Sequence, residues 1–340
     1  MELIKNTYRR NIYALVALIC LLSSCSSDDS QEDGTVYTYY YPTEVQTINT
    51  GSLGRPFDPR GIAISNNKLY VCNDSILEIF DATTLRPLES VKAYSKGNTH
   101  IKFAGLTSIS IDEGRLYIGS QESRLFVLDQ NTNQGITYVG NGQWWQTFVH
   151  VFGVVVKDGL VVVKEKENSV KIFETSQITA ESPWNLNPIA KLNTQTGYTQ
   201  YYSMGISDGQ IVVAGRDSKS YLHYDINTVL SNKAASLTTP LTALQMPFPQ
   251  AKPTAILFDE TFVYTAENID NLNYLKIYPK DVFLRNQYQP LLNVSDVQGK
   301  GTFGSISSIA HQGQQLYLSD NTNKNIRVIK INTAQITEYN

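Results

Sequence analysis

The sequence predicts an all-β fold, a six-bladed β-propeller of four-stranded antiparallel blades. Three observations point to it. A hairpin pattern recurs six times at a spacing of roughly 45 to 53 residues. A third alternating segment follows the hairpins, with a looser fourth behind it. No segment carries a long helical period.

The first element is a leader. Lys5, Arg9 and Arg10 form a basic start, and an uncharged apolar run follows from Ile12 to Leu22. A membrane-spanning helix needs roughly 20 apolar residues, and this run is about half that, as in a secretory signal peptide. The next residues, "LSSC" from Leu22 to Cys25, resemble the lipobox of bacterial lipoproteins. That resemblance implies a signal peptide over residues 1–24 and a lipid on Cys25 as the first mature residue. The acidic "SSDDSQED" that follows resembles the export signal of surface-displayed lipoproteins in the Bacteroidetes. Residues 25–42 are accordingly expected to be a lipidated acidic tether on the outer membrane, facing the cell exterior, with the propeller over 43–340.

The six hairpins read "RGIAISNNKLYVCND" from Arg60, "TSISIDEGRLYIGSQ" from Thr107, "FGVVVKDGLVVVKEK" from Phe152, "YSMGISDGQIVVAGR" from Tyr202, "TAILFDETFVYTAEN" from Thr254 and "SSIAHQGQQLYLSDN" from Ser307. Each is a strand, a tight turn on Asn, Asp, Glu or Gly, and a second strand. The third segments are "ILEIFDA", "RLFVLDQ", "SVKIFET", "SYLHYDI", "YLKIYPK" and "IRVIKIN". Four antiparallel strands per repeat make a propeller blade. Short helical turns are expected in "DINTVLSNK" and "PKDVFLR". Phe57, Phe103, Phe148, Tyr198, Phe248 and Phe303 recur a few positions before the inner strands, a regularity that predicts blade-to-blade packing. Two segments, "TEVQTINTG" (Thr43–Gly51) and "QITEYN", compete for the outer place in the last blade. The N-terminal one is expected to take it and clasp the chain ends.

The blade pattern, notably "DPRGIAI...KLYVCND" and "KPTAILF...FVYTAEN", resembles the NHL-type six-bladed family found in many bacterial lipoproteins. The resemblance covers about residues 55 to 340. It implies the fold and leaves the activity open, because this architecture hosts many functions.

The formal charge is −3, and the leader holds three of the bases against one acid, Glu2, so the remainder is more acidic still. With no basic stripe, nucleic acid is not an expected partner. Of Cys20, Cys25 and Cys72, cleavage removes the first and the lipid consumes the second. Cys72, in the strand pattern "LYVCND", is then expected to be a packed thiol.

In a propeller, the loops leading into the inner strands share one face with the loops between second and third strands. The candidate site lies there, at the channel mouth. The inner strands start with Arg60, Thr107, Phe152, Tyr202, Thr254 and Ser307. Polar residues end the second strands, among them Asn73, Glu165, Arg216 with Asp217, Glu267 and Asp320. Two aromatic clusters break the regular spacing, Trp144 with Trp145 and Tyr201 with Tyr202. Such rings suit stacking on a sugar or gripping a peptide. The expected ligand contacts are Trp144, Trp145, Tyr201, Tyr202, Arg60, Glu165, Arg216 and Asp320.

Residues of catalytic type are sparse. None of the four histidines, His100, His150, His223 and His311, has a metal-ligand spacing. His311 ends an inner strand at the opposite face. The best acid–base pair is His150 with Glu165. Glu165, Glu267, Asp320 and Asn73 are oxygen donors that could converge on a divalent cation, although the calcium site of six-bladed lactonases is not reproduced. No cofactor is expected. The leading expectation is a lipid-anchored binding or scaffolding protein for a glycan, a peptide or another envelope protein, meeting the membrane only through its anchor. The alternatives are a metal-assisted, lactonase-like hydrolase or lyase using the same face, and a structural subunit of an envelope complex.

Overall fold

The computed structural model describes residues 35–51, 57–143, 147–166, 169–193, 203–215, 219–232, 240–245, 251–297 and 300–338. The chain divides into two compact units. The described parts of the smaller one, Thr35–Thr38 and Gln335–Glu338, are strand. The larger, Tyr39–Ala334, carries the blades.

Five blades use consecutive strands, ordered from the inner edge outward. Blade one is β2 (Pro59–Ser65), β3 (Lys68–Asn73), β4 (Ile76–Asp81) and β5 (Pro87–Val91). A hairpin that the repeat does not predict, β6 (Ala93–Lys96) and β7 (Thr99–Lys102), comes next. Its Tyr94 is buried against Phe126 and Tyr138. Blade two is β8 (Leu106–Asp112), β9 (Arg115–Ser120), β10 (Arg124–Asp129) and β11 (Gly135–Val139). Blade three is β12 (Val151–Lys157), β13 (Leu160–Glu165), β14 (Ser169–Glu174) and β15 (Ala190–Asn193). Blade four is β16 (Met204–Ser207), β17 (Gln210–Gly215), β18 (Ser220–Asp225) and β19 (Thr242–Gln245). Blade five is β20 (Lys252–Phe258), β21 (Phe262–Ile269), β22 (Leu272–Pro279) and β23 (Leu292–Val294). Helices α1 (Ile226–Ser231) and α2 (Lys280–Leu284) fall in the two expected segments. Among the described residues, no helix is long and apolar enough to cross a membrane.

Blade six runs β24 (Ile306–Gln312), β25 (Gln315–Asp320), β26 (Asn325–Glu338) and then β1 (Thr35–Ile48). The N-terminal strand closes the last blade. Asn332 Nδ2 donates to Thr43 Oγ1 at 3.0 Å, and Arg327 donates twice to Glu44 Oε2, at 2.6 and 2.9 Å. "QITE" makes no separate fourth strand but prolongs β26. β1 also starts earlier than Thr43, because "TVYTYYY" is rich in the aromatic and β-branched residues that favour strands. Pro42 is tolerated there because β1 is an edge strand.

The inner strands β2, β8, β12, β16, β20 and β24 each touch the next, and β24 touches β2, so the ring closes. Six apolar clusters hold it, one at each seam between neighbouring blades. Strand alternation divides each sheet between its two seams. Leu69 and Val71 join the seam with blade six, whereas Tyr70 and Cys72 join the seam with blade two. Both faces are covered, so "LYVC" is apolar throughout rather than alternating. Phe57, Phe103, Phe148 and Phe303 are buried in these seams. Three of them pack edge-on against a third-strand ring, Phe57 on Phe80, Phe103 on Phe126 and Phe148 on Phe173. Tyr198 and Phe248 lie outside the described residues.

Inner strands are sheet edges with N–H groups left over. Serines satisfy several across the seams: Val156 N–H donates to Ser110 Oγ, Ile256 N–H to Ser203 Oγ and Ile62 N–H to Ser308 Oγ. Gly61 permits the close approach of blades one and two, since a Cβ there would lie 2.4 Å from Ser108 Cα.

Candidate functional site

The inner strands enclose a cavity of about 310 Å³. Among the described residues, five inner strands slip register against their second strands where the chain enters them, between Pro59 and Ile62, Leu106 and Ser108, Val151 and Gly153, Pro253 and Ala255, and Ile306 and Ser308. Such bulges re-aim the extra residue. The extra residues are Thr107, Phe152, Thr254 and Ser307, with Arg60 and Gly61 in blade one. The sequence placed Arg60, Thr107, Phe152, Thr254 and Ser307 at the mouth, and Thr107, Phe152 and Ser307 line the cavity. Two of them join blades: Thr107 Oγ1 donates to the Val151 carbonyl at 2.8 Å, and Ser307 Oγ to the Arg60 carbonyl at 3.0 Å.

The polar second-strand ends turn back onto the segments leading into their own blades. Asn73 Oδ1 accepts the Asp58 N–H at 2.8 Å, Glu165 Oε1 the Val149 N–H at 2.9 Å and Asp320 Oδ2 the Gly304 N–H at 2.6 Å. Ser120 makes the same link by donating to the Ala104 carbonyl at 2.6 Å. Glu165 also takes Lys171 Nζ at 2.8 Å, and Asp320 takes the side-chain amide of Asn323 at 2.8 Å. Both carboxylates are buried. Glu267 sits deeper, on Lys276 Nζ and the Tyr221 hydroxyl. Burial pushes its carboxyl up against the opposing pull of Lys276, and burial pulls Lys276 down. Burial also lowers Lys164 to about 8, with Glu165 opposing, and its Nζ donates to the Glu165 carbonyl. Among the described residues, no three of His, Cys, Asp or Glu are grouped to hold a metal ion.

Arg60 stands near the start of β2. Its Nη2 lies 3.2 Å from Asp58 Oδ2 and 3.8 Å from Asp74 Oδ1, and its side chain is 15% exposed. Nε and Nη1 are buried and find no acceptor among the described residues. Asp58 also binds Lys324 and Asn321 of blade six. Burial acts to raise its carboxyl, but Lys324 and Arg60 outweigh that and hold it below the ordinary value. Sequence reasoning missed this second ring of partners. The signal was present in the polar "FDPR" and "SDNTNK", but their meeting depends on ring closure.

His150 Nδ1 meets the Gln121 carbonyl, while Glu165 faces Val149 and Lys171. Trp144, Trp145, Tyr201, Tyr202, Arg216 and Cys25 lie outside the described residues. No protein-family model matches the chain, and no curated protein matches it in sequence.

Proposed function

We propose that this chain is a lipid-anchored surface protein, held in the outer membrane by Cys25, that binds or scaffolds a ligand at the mouth where its inner strands begin. One observation carries the reading. The Arg60 guanidinium is held by two carboxylates, yet two of its nitrogens find no acceptor among the described residues. Unmet buried donors are costly, so the guanidinium gains by turning these nitrogens out toward a ligand oxygen at the mouth. A glycan hydroxyl, a peptide carboxylate or an acidic residue of an envelope protein fits that need. Trp144, Trp145, Tyr201 and Tyr202 would give the apolar wall and Arg216 a second cation, while Glu165 and Asp320 shape the rim by holding its lead-in segments.

Thermal unfolding of the mature chain against glycan and peptide panels tests this. Binding at a hundred times the dissociation constant adds about 2.7 kcal/mol to stability. Arg60→Met is expected to weaken the ligand found by about tenfold, the scale of one charge-assisted hydrogen bond. Trp144→Ala with Trp145→Ala is expected to weaken it further. Unchanged affinity in both variants removes the proposal. Cys25→Ala is expected to release the protein from the membrane fraction, and retention there removes the anchor.

A further inference from the structure

Where the inner strands end, at the other end of the channel, three side chains from two blades come together. Asp259 follows β20 and His311 lies near the end of β24, and both line the cavity. Asp259 Oδ1 accepts the turn N–H groups of Thr261 and Phe262 at 2.7 and 2.6 Å. Its Oδ2 accepts the Tyr264 hydroxyl at 2.7 Å and faces His311 Nδ1 at 3.7 Å. The imidazole stacks on Tyr264, with ring centroids 5.3 Å apart. Tyr264 is itself buried and braced by Phe262. The carboxylate is therefore locked by three bonds, and pre-organisation of this kind is what binding sites need. It remains reachable: the Asp259 and His311 side chains are 21% and 26% exposed. The nearby channel wall is apolar and half-exposed, from Ile64, Ile111, Val155 and Phe258.

We propose that this end of the channel is a second ligand site, which takes a primary ammonium group carried on a slim apolar chain. Asp259 Oδ2 supplies the counter-charge, the His311 ring stands beside it as a second polar partner, and the inner-strand wall covers the chain. A carboxylate head would meet Asp259 as a like charge, and an alcohol would forgo the ion pair. The ammonium can come from a free amine or from a lysine side chain of a partner.

The test is an NMR titration of the mature chain with n-hexylamine, following the imidazole signals and assigning that of His311 with His311→Gln. Hexanoate and hexanol are the controls. The expected result is a saturable shift of the His311 signal with hexylamine and none with hexanoate. Asp259→Asn is expected to weaken binding at least tenfold, whereas Tyr264→Phe, which keeps the charge, stays within a few-fold. A blocked lysine peptide that displaces hexylamine assigns the lysyl source, and one that does not assigns the free amine. Equal binding of hexanoate, no saturable shift, or full affinity in Asp259→Asn overturns the proposal. Should Asp259→Asn fail to fold, His311→Gln replaces it, with a loss of at least threefold expected by calorimetry. Arg60→Met is expected to leave hexylamine binding unchanged, which separates this site from the one at the other mouth.

Discussion

In blade three, Glu165 ends the second strand and Lys171 stands on the third, opposite the residue two positions before it. In blade five, Glu267 and Lys276 hold the matching positions. The pairs are chemically the same, but their surroundings differ. Lys171 is 13% exposed, and the blade-three pair fastens the lead-in segment by binding the Val149 N–H and the Thr147 carbonyl. Lys276 and Glu267 are both fully buried. They are walled by Tyr288 and by Tyr221, which reaches across the seam from blade four. One pair ties down a loop near water, and the other locks two blades together away from it. A repeat position fixes where a charge goes, while the neighbouring blade decides what that charge does.

The sharpest way to break this comparison is Lys276→Met. It strands a buried carboxylate, and losing one partner of a buried pair costs about 3–5 kcal/mol, to be read from urea unfolding. The loss should depend on pH. Glu267 is an acid whose folded pKa is raised above its ordinary 4.5, so its contribution favours folding in acid and weakens as the pH rises. With the cation gone, the deficit of the variant is smallest below that value and grows above it. Lys171→Met is expected to cost less, about 2 kcal/mol, because Glu165 keeps the Val149 N–H. Equal losses in the two variants would mean that burial does not separate the pairs.

The smallest effect concerns Cys72, fully buried at the seam between blades one and two. Burial pushes its thiol well up. An aromatic disulfide reagent at pH 8 is expected to leave it unmodified until the protein unfolds. Rapid labelling of the native protein would show that this seam opens where the blade-five lock does not.

The sequence made the ring legible because each hairpin repeats locally: turn, apolar triplet and a preceding aromatic. The Glu–Lys correspondence was hidden because Lys171 follows Glu165 by six residues and Lys276 follows Glu267 by nine. In blade five the paired strands run on past Glu267, whereas β13 stops at Glu165, so only register reveals the match. Asp259, Tyr264 and His311 were unreadable as a group for another reason. His311 belongs to the next blade, and only closing the cavity brings it to Asp259. The early start of β1 was masked by its acidic approach, which reads as solvated linker even though "VYTYYY" is strand-forming.

Because β1 pairs with β26, the earliest described strand has its partner in the latest. Even in the folded chain its Tyr39, Tyr41 and Val45 face solvent, and an unpaired strand of this kind is apt to pair with the wrong neighbour. The five intervening blades can form from local contacts while this strand waits. The β1–β26 pairing spans the whole run of blades, and contacts of such long sequence separation are slow to form. During biogenesis, the interval between emergence and closure is when this molecule is most exposed to error.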